Sequence, residues 1–319
     1  MVQVFPTLEL RKGDAMDGEL LWKEVYRFVR KAAGRFRGEQ SRRGRPDTYA
    51  IDDVALCWLW AAFRNRSLSA VMSQLKSPRE RRLWTLMGFP WPTHVPHETT
   101  LRRRAQRADF SRFFRKVAAF LQRRLKPKTR YCLIDSTPLP VGRLSTDPEA
   151  SWGFHQLRGY RWHTITSADG VILASQVTSA RVHELAVAPQ LVSDVRQQGF
   201  RAPWLVADKG YDSEPLHREV RRTWRGRLLA PLSPRGGKHS FKRTPLRKWL
   251  YEHWKTPHLR RLMRRRTAIE RTYSLLKSGR FGLWSLPPWV RRLSNVRLWI
   301  QLKTILYHCY LIERRINYA

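Results

Sequence analysis

Three acidic residues, widely separated along the chain, are the strongest candidates for chemistry in this sequence. Asp135 lies in the stretch LIDST, Asp208 in LVADKGYD, and Glu270 in RRRTAIERTYSLLKSG. Carboxylate oxygens are ligands that Mg²⁺ prefers, and two such ions about 4 Å apart can activate an attacking oxygen and stabilise the leaving oxygen of a phosphodiester. If the three carboxylates converge, the predicted chemistry is metal-dependent cleavage of a phosphodiester.

Each of these acids also has a simpler interpretation when it is taken alone. An Asp that follows a strand is a common turn or helix-capping residue. Glu270 stands among cations and fits a solvated helix face, where each ion pair contributes roughly 0.2–0.5 kcal/mol. Only the combination of the three, from two strands and a helix, favours a shared metal site.

The segment around Glu270 has the periodicity of a helix. At about 100° per residue, Arg266, Glu270 and Lys277 fall within roughly 40° of one another and form one charged stripe. Apolar residues recurring at intervals of seven predict the buried stripe of the same helix. These are Leu262, Ile269 and Leu276.

The two aspartates each follow an apolar run that predicts a strand. Residues 130–141 read as a strand with polar residues near its end, and residues 203–213 read as a short strand that continues into a loop. Each Asp is therefore expected at a strand tip, where the ligand sites of open α/β sheets collect.

The remaining pattern predicts two parts of different architecture. The first 125 residues show helical periodicity and many cations, whereas residues from 126 onward alternate strands and helices around a hairpin that turns at 168–170. We predict a helical, basic, DNA-binding region at 1–125 and a mixed-sheet α/β catalytic domain at 126–319. The predicted helices lie at 18–37, 48–65, 67–75, 79–88, 97–126, 183–198, 214–224, 259–279 and 291–315, and the further strands at 161–180 and 227–233.

The charge of the chain points to a polyanionic partner. There are 62 Lys and Arg residues against 25 Asp and Glu, a formal net charge of +37, and 48 of the cations are Arg. Arg presents a planar fork to phosphate and stacks on bases, and the 14 Trp residues add further stacking surfaces. Nucleic acid is the leading candidate, and a general bias toward Arg is the alternative.

Cysteine spacing and hydropathy favour a reducing compartment. The three cysteines form no CxxC pair, so neither a disulfide framework nor a cysteine-based zinc site is supported. The N-terminal residues lack the pattern of a signal peptide, and no apolar run is long enough to span a membrane. A cytoplasmic location follows as an expectation.

With these motifs in hand, the sequence resembles the DDE transposases of bacterial insertion sequences. Arg266-x3-Glu270-x6-Lys277 matches the spacing of that family's Tyr-x2-Arg-x3-Glu-x6-Lys signature, with Met263 at the Tyr position. VADKGYDS and LIDST resemble the strands that carry the two aspartates, and the stretch at 159–184 resembles the family's hairpin. The resemblance covers 130–280 well and 1–129 weakly.

The resemblance implies an RNase H-like catalytic domain preceded by a smaller all-helical basic domain. It implies that Asp135, Asp208 and Glu270 are the catalytic residues and hold two Mg²⁺ ions, with Mn²⁺ able to substitute. The expected partners are double-stranded DNA, as the terminal inverted repeats of the element and the target, and a second copy of the chain in a dimer or higher oligomer. The expected location is the bacterial cytoplasm, associated with the nucleoid.

Several residues are predicted to contact DNA or to shape the site. Met263 cannot donate the hydrogen bond of the signature Tyr, so Tyr273 either substitutes for it or packs in the core. Asp212 either shapes the loop after Asp208 or caps the helix that begins at Ser213. The predicted DNA-binding residues are Arg266, Lys277, Arg271, Lys209, Arg102, Arg103, Arg104, Trp249 and Trp254.

Two other functions fit the same features. An RNase H-like nuclease or resolvase would share the metal site but would not join the cut 3′ end to new DNA. A non-catalytic DNA-binding relative would explain the charge but not the ordered acidic motifs. An assay for strand transfer therefore distinguishes a transposase from the first alternative, and an assay for metal-dependent nicking distinguishes it from the second.

Overall fold

The computed structural model describes residues 12–37, 47–77, 95–153, 156–233 and 244–317, which fall into two compact units. Met1–Leu121 and Cys309–Ala319 form the first unit, and Gln122–His308 form the second. No helix within the described ranges is long and apolar enough to cross a membrane.

The described elements of the first unit are helices around an aromatic core. The buried residues of these helices are mainly aliphatic and aromatic, and Trp22 and Trp60 meet edge to face with ring centroids 4.7 Å apart. The helices are α1 Lys12–Arg37, α2 Ile51–Phe63, α3 Leu68–Lys76, α4 Glu98–Ala105 and α5 Ala108–Leu125, of which the last four residues belong to the second unit. The helix predicted at 79–88 lies outside the described residues.

The single helix predicted at 97–126 is two helices in the structure. α4 ends at Ala105, and the carbonyl of Arg107 accepts the first hydrogen bond of α5 from the amide of Phe110 at 3.1 Å. Arg104 and Arg107 both contact Asp47. No Gly or Pro marks this break, which is why the periodicity alone did not reveal it.

A mixed β-sheet forms the centre of the second unit. β1 pairs with β3 on one side in antiparallel fashion and with β5 on the other in parallel, β5 pairs with β6 in parallel, and both β2 and β4 pair with β3. The strands are β1 Cys132–Pro140, β2 Ser151–Trp152, β3 Arg158–Ser167, β4 Ile172–Ser179, β5 Trp204–Val206 and β6 Arg227–Leu229. The predicted hairpin is β3–β4, and Gly170 in its turn has φ +83°, which favours glycine.

The helices of the second unit follow the predicted order except for one, α8 at Pro245–His253, which was not predicted. They are α6 Glu184–Gln197, α7 Glu214–Trp224, α8 Pro245–His253, α9 Pro257–Arg264, α10 Thr267–Lys277 and α11 Leu293–Asn317, which enters the first unit at Cys309. α6 tolerates Pro189 in its interior, as predicted.

The helix predicted at 259–279 is divided into α9 and α10. The amides of Arg265 and Arg266 bond to the carbonyls of Leu262 and Met263, three residues back, at 2.9 and 3.0 Å. This tighter turn ends α9 at Arg264. The next helix, α10, begins at Thr267 and has Arg266 as its N-cap residue. Ile269 and Leu276 are buried as predicted, whereas Leu262 lies on the other helix and is only partly buried.

Candidate active site

The parallel pairing of β1 and β5 brings Asp135 and Asp208 alongside each other. Leu133 is opposite Val206, the last residue of β5. Asp135 follows Leu133 by two residues, and Asp208 follows Val206 by two residues. The prediction that Asp135 lies at a strand tip is wrong, because β1 continues to Pro140 along its other partner, β3. It lies where the parallel partner strand has ended.

Burial and charge act together on Asp135. Burial raises the pKa of its carboxyl to about 7, the hydrogen bond from the Ser136 amide and the guanidinium of Arg266 oppose that rise, and the charges of Asp208 and Glu184 add to it. A cation placed between these carboxylates would remove the repulsion that they otherwise impose on one another.

A short turn orients the carboxylate of Asp208. Lys209–Tyr211 form one turn of 3₁₀ helix, and Asp208 Oδ1 accepts a hydrogen bond from the Gly210 amide at 2.8 Å. A Cβ on Gly210 would lie only 3.0 Å from that oxygen and 3.1 Å from Glu184 Oε2. A larger residue here would crowd two carboxylates, one of which would have to move by a few tenths of an ångström.

Tyr273 fixes the backbone at Asp135 from α10. Its hydroxyl donates to the Asp135 carbonyl at 2.8 Å and lies 2.7 Å from the Thr164 hydroxyl, and its ring packs near Trp162. The side chain is buried and its hydroxyl is used within the protein. Of the two interpretations from the sequence, core packing is the one that this geometry favours.

Arg266 connects Glu270 to Asp135. Its guanidinium forms an ion pair with Glu270 Oε1 at 2.6 Å and lies 3.9 Å from Asp135 Oδ2. Lys277, on the same side of α10, is half-buried; burial lowers its pKa and the charge of Asp135 opposes that change. One cationic group thus already lies against two of the three predicted carboxylates, and a second cation feels the charge of Asp135.

A fourth carboxylate, Glu184, belongs to this site and was not predicted. It is the first residue of α6, and its Oε1 accepts hydrogen bonds from the Ser136 hydroxyl at 2.7 Å and from Arg161 at 3.2 Å. The sequence signal that points to it is its position directly after the predicted hairpin, at the start of a helix that returns to the sheet. Only the pairing of β1 with β3 shows which residues it meets.

Of the two predicted roles of Asp212, the helix cap is wrong, and a role in shaping the loop after Asp208 is the one that the geometry favours. Ser213 caps α7 by accepting from the Leu216 amide at 3.4 Å. Asp212 is buried and accepts from Arg247 at 3.0 and 2.7 Å and from the Ser233 amide at 2.6 Å. Burial alone would raise the pKa of this carboxyl, but hydrogen bonds from His217, Arg247 and Ser233 lower it overall. Asp212 therefore ties the loop after Asp208 to α8.

The other predicted DNA-binding residues of the second unit occupy varied surroundings. Lys209 and Arg271 are exposed. Trp249 stacks on His253 with ring centroids 4.3 Å apart, and its ring centroid lies 3.6 Å from the guanidinium of Arg227. Its ring therefore already packs against other side chains of the protein. Trp254 is partly buried.

The predicted DNA-binding arginines of the first unit lie together on α4. Arg102 is exposed and pairs with Glu98 at 3.2 Å, Arg103 is exposed, and Arg104 is largely buried against Asp47. The role of these residues in DNA binding stays a prediction.

The donor set of the site suits a hard divalent cation, although the described residues hold no cluster of three His, Cys, Asp or Glu side chains already arranged around a metal. The donors are carboxylate oxygens, and the space beside Gly210 is lined at about 3 Å by two of them. Arg266 supplies the positive charge between Asp135 and Glu270. The residues thus fit a divalent ion if Glu270 exchanges its ion pair for it.

Comparisons with known proteins identify the family of the chain. No curated protein sequence matches the chain. Among solved structures, the cryo-EM structure of the piggyBac transposase synaptic complex with hairpin DNA is similar, with 10% sequence identity, 96% of this chain and 82% of that chain covered, and a TM-score of 0.36. The family model of the transposase DDE domain matches residues 126–309, which is more than half of the chain. The chain therefore belongs to the family of proteins with a DDE transposase domain.

Proposed function

We propose that this protein is the transposase of a bacterial insertion sequence, and that it cuts DNA at the ends of its element and joins the freed 3′ ends to target DNA. In the first step water attacks the phosphodiester and frees a 3′-OH. In the second step that 3′-OH attacks a phosphodiester of the target, and the target's own 3′ oxygen leaves. The observation that carries the proposal is the alignment of Asp208 with Asp135, with Arg266 between Asp135 and Glu270.

The sheet supports an RNase H-like catalytic domain. An antiparallel β4–β3–β1 group continues into the parallel strands β5 and β6, and helices follow the strands along the chain. The carboxyl end of β5 is a place in such a sheet where a site can form. Asp208 follows that end, and Asp135 lies inside β1 beside it.

Members of this family generally use divalent metal ions, and Asp135, Asp208 and Glu270 are the residues that would hold them here. We propose two Mg²⁺ ions, replaceable by Mn²⁺. Bound ions of this kind activate the attacking oxygen and stabilise the leaving oxygen. Asp135 and Asp208 are already adjacent, whereas Glu270 has to leave its ion pair with Arg266.

Cations around the carboxylates are suited to the phosphates next to the cut. A bound divalent cation would compensate the charges of Asp135 and Glu270. The guanidinium of Arg266 would then be able to form a bidentate contact with a DNA phosphate. Lys277 lies on the same helix side, and Lys209 and Arg271 extend the positive charge outward. Arg102, Arg103 and Arg104 would bind the duplex from the helical region.

The proposed partners are the inverted repeats of the element and the target duplex. A dimer or higher oligomer of this chain would hold two element ends together. The proposed setting is the bacterial nucleoid. The net charge of +37 supports a polyanion as the partner.

An assay with labelled element ends and a target plasmid tests the proposal. The wild-type protein should nick the ends and transfer them to the plasmid when Mg²⁺ is added. Asp208→Asn should reduce both steps by at least 100-fold, because the amide cannot supply a charged ligand. Asp194→Asn is the matched control and should remain active, because Asp194 is a partly buried carboxylate of α6 that bonds Gln190.

The outcomes distinguish the alternative functions. Nicking without any joined product would favour a nuclease or resolvase. No metal-dependent nicking by wild-type protein that binds DNA would favour a non-catalytic relative. Full strand transfer by Asp208→Asn would reject the site assignment.

A further inference from the structure

The proposed reaction assigns no step to Glu184, although this carboxylate is joined directly to the strand that carries Asp135. Its Oε1 accepts hydrogen bonds from the Ser136 hydroxyl at 2.7 Å and from Arg161 at 3.2 Å. Ser136 follows Asp135, and its amide donates to Asp135 Oδ1 at 2.8 Å. The same residue therefore bonds one carboxylate through its backbone and the other through its side chain.

The second oxygen of Glu184 faces the turn that carries Asp208. The position of a Cβ on Gly210 is 3.1 Å from Glu184 Oε2 and 3.0 Å from Asp208 Oδ1, so the two oxygens are separated by no more than the sum of these distances. The Gly210 amide bonds Asp208 Oδ1 at 2.8 Å. Glu184 thus lies between β1 and the Lys209–Tyr211 turn, with one oxygen directed to each.

The charge of Glu184 also acts on the site. It contributes to the electrostatic environment of Asp135 and of the buried Tyr211, as does Asp208. Its own charge is balanced on one side by Arg161, whose guanidinium contacts only Oε1 at hydrogen-bond distance. The side chain is mostly buried, so this field is weakly screened by solvent.

We propose that Glu184 is a positioning residue that links β1 to the Lys209–Tyr211 turn, sets the separation of Asp135 and Asp208, and adds negative charge that favours a divalent cation between them. The inference rests on the proposed function, because the cation is the one that the proposed reaction uses. Residues that orient metal ligands without binding the metal typically change metal affinity about 10–100-fold when they are replaced.

Binding of Mn²⁺ alone to the full-length protein without DNA tests this proposal. Electron paramagnetic resonance of free Mn²⁺ gives the affinity without any catalytic readout. Glu184→Gln keeps the size and an acceptor for Ser136 but removes the charge, and it should weaken Mn²⁺ binding about tenfold. Ser136→Ala keeps the charge, removes the hydrogen bond, and should change the affinity in the same direction.

Glu214→Gln is the matched control. Glu214 is the first residue of α7, as Glu184 is of α6, and it also bonds an Arg, Arg218, at 3.1 Å. The substitution removes the same charge from the same kind of position, and the affinity for Mn²⁺ should stay within twofold of wild type.

A metal titration of end cleavage supplies a second readout. In Glu184→Gln the Mn²⁺ concentration for half-maximal cleavage should rise about tenfold, while the rate at saturating Mn²⁺ returns close to that of wild type. A residue that only stabilised the fold would lower the rate without moving this midpoint. If Glu184→Gln loses its circular dichroism signal, Ser136→Ala carries the same test.

Measuring Asp208→Asn in the same way distinguishes failure of the role proposed for Glu184 from failure of the proposed metal site. Loss of Mn²⁺ binding in Asp208→Asn, with wild-type affinity in both Glu184→Gln and Ser136→Ala, would overturn the role of Glu184 and leave the proposed function standing. Equal Mn²⁺ binding by wild type and Asp208→Asn would overturn the metal site itself.

Discussion

At the scale of single residues, the site depends on how closely carboxylates approach one another. Asp135 and Asp208 are brought side by side, Glu184 is held against the same turn, and Gly210 is the residue that allows this approach. Close carboxylates repel, and burial removes the water that would weaken the repulsion. Such a cluster is stable when cations compensate it, and in this structure Arg266 and Arg161 lie against it.

Gly210→Ala tests this crowding directly. The new methyl group would lie 3.0 Å from Asp208 Oδ1 and 3.1 Å from Glu184 Oε2, so one carboxylate has to move by a few tenths of an ångström. Because small displacements of reacting groups cost large factors in rate, we expect cleavage to fall by at least tenfold with little loss of thermal stability.

Gly142→Ala is the control for that experiment. A Cβ on Gly142 would meet no atom within 4 Å, and its φ is not in the left-handed region. Cleavage by this variant should equal that of wild type. Equal activity of both alanine variants would show that the space at Gly210 is not needed.

At the scale of elements, one buried ion pair joins α8 to the loop that follows Asp208. Arg247 bonds both oxygens of Asp212 and also the Ser233 carbonyl at 2.8 Å, and all of these groups are buried. The carboxylate is fully bonded, so the pair is specific in geometry. Removing Arg247 leaves the buried charge of Asp212 with only the hydrogen bonds from His217 and the Ser233 amide.

Arg247→Met is expected to lower the free energy of unfolding by about 3–5 kcal/mol. Urea denaturation followed by circular dichroism measures the change. Arg218→Met is the control, because Arg218 is exposed and its pair with Glu214 contributes at most about 1 kcal/mol. Similar losses in the two variants would contradict a special role for the Asp212–Arg247 pair.

Elements also show where helical periodicity was informative and where it was not. It correctly predicted α6 and α7, in which the capping residues and the buried apolar residues indicate the same helix. It merged α4 with α5 and α9 with α10, because the breaks at Gln106 and at Arg265 contain no residue that opposes helix locally. At the first break, Arg104 and Arg107 form ion pairs with Asp47, which is distant in sequence.

At the scale of the whole molecule, the net charge of +37 dominates the expected interactions. A protein that neutralises phosphates releases counterions, so the logarithm of its affinity falls linearly with the logarithm of the salt concentration, by about 0.9 per phosphate contact on duplex DNA. We expect a steep dependence for this chain and a smaller slope when a contacting Arg is removed.

Arg103→Ala tests the assignment of α4 to DNA binding. The slope should decrease by about 0.9 if this exposed residue neutralises one phosphate. Arg27→Ala is the control, because it removes the same charge from an exposed Arg of the first unit that pairs with Glu24. Filter binding between 50 and 200 mM salt measures both slopes, and identical slopes for the two variants would argue against α4.

The sequence by itself determined the class of the second unit, the order of most of its elements and three of the four carboxylates of the candidate site, because strand and helix periods, turns and charge are local properties. Its net charge predicts a polyanionic partner. The sequence left the meaning of Asp135, Asp208 and Glu270 open, since any one of them could have been a turn, a cap or a surface ion pair.

The tertiary structure decided which groups meet. The register of β1 with β5 sets Asp208 beside Asp135, and the β1–β3 pairing brings Ser136 and Arg161 to Glu184. It also assigned Asp212 to Arg247 rather than to a helix cap. Such contacts depend on residues far apart in the chain, and a local pattern carries no record of strand register or of which distant charge fills a buried position.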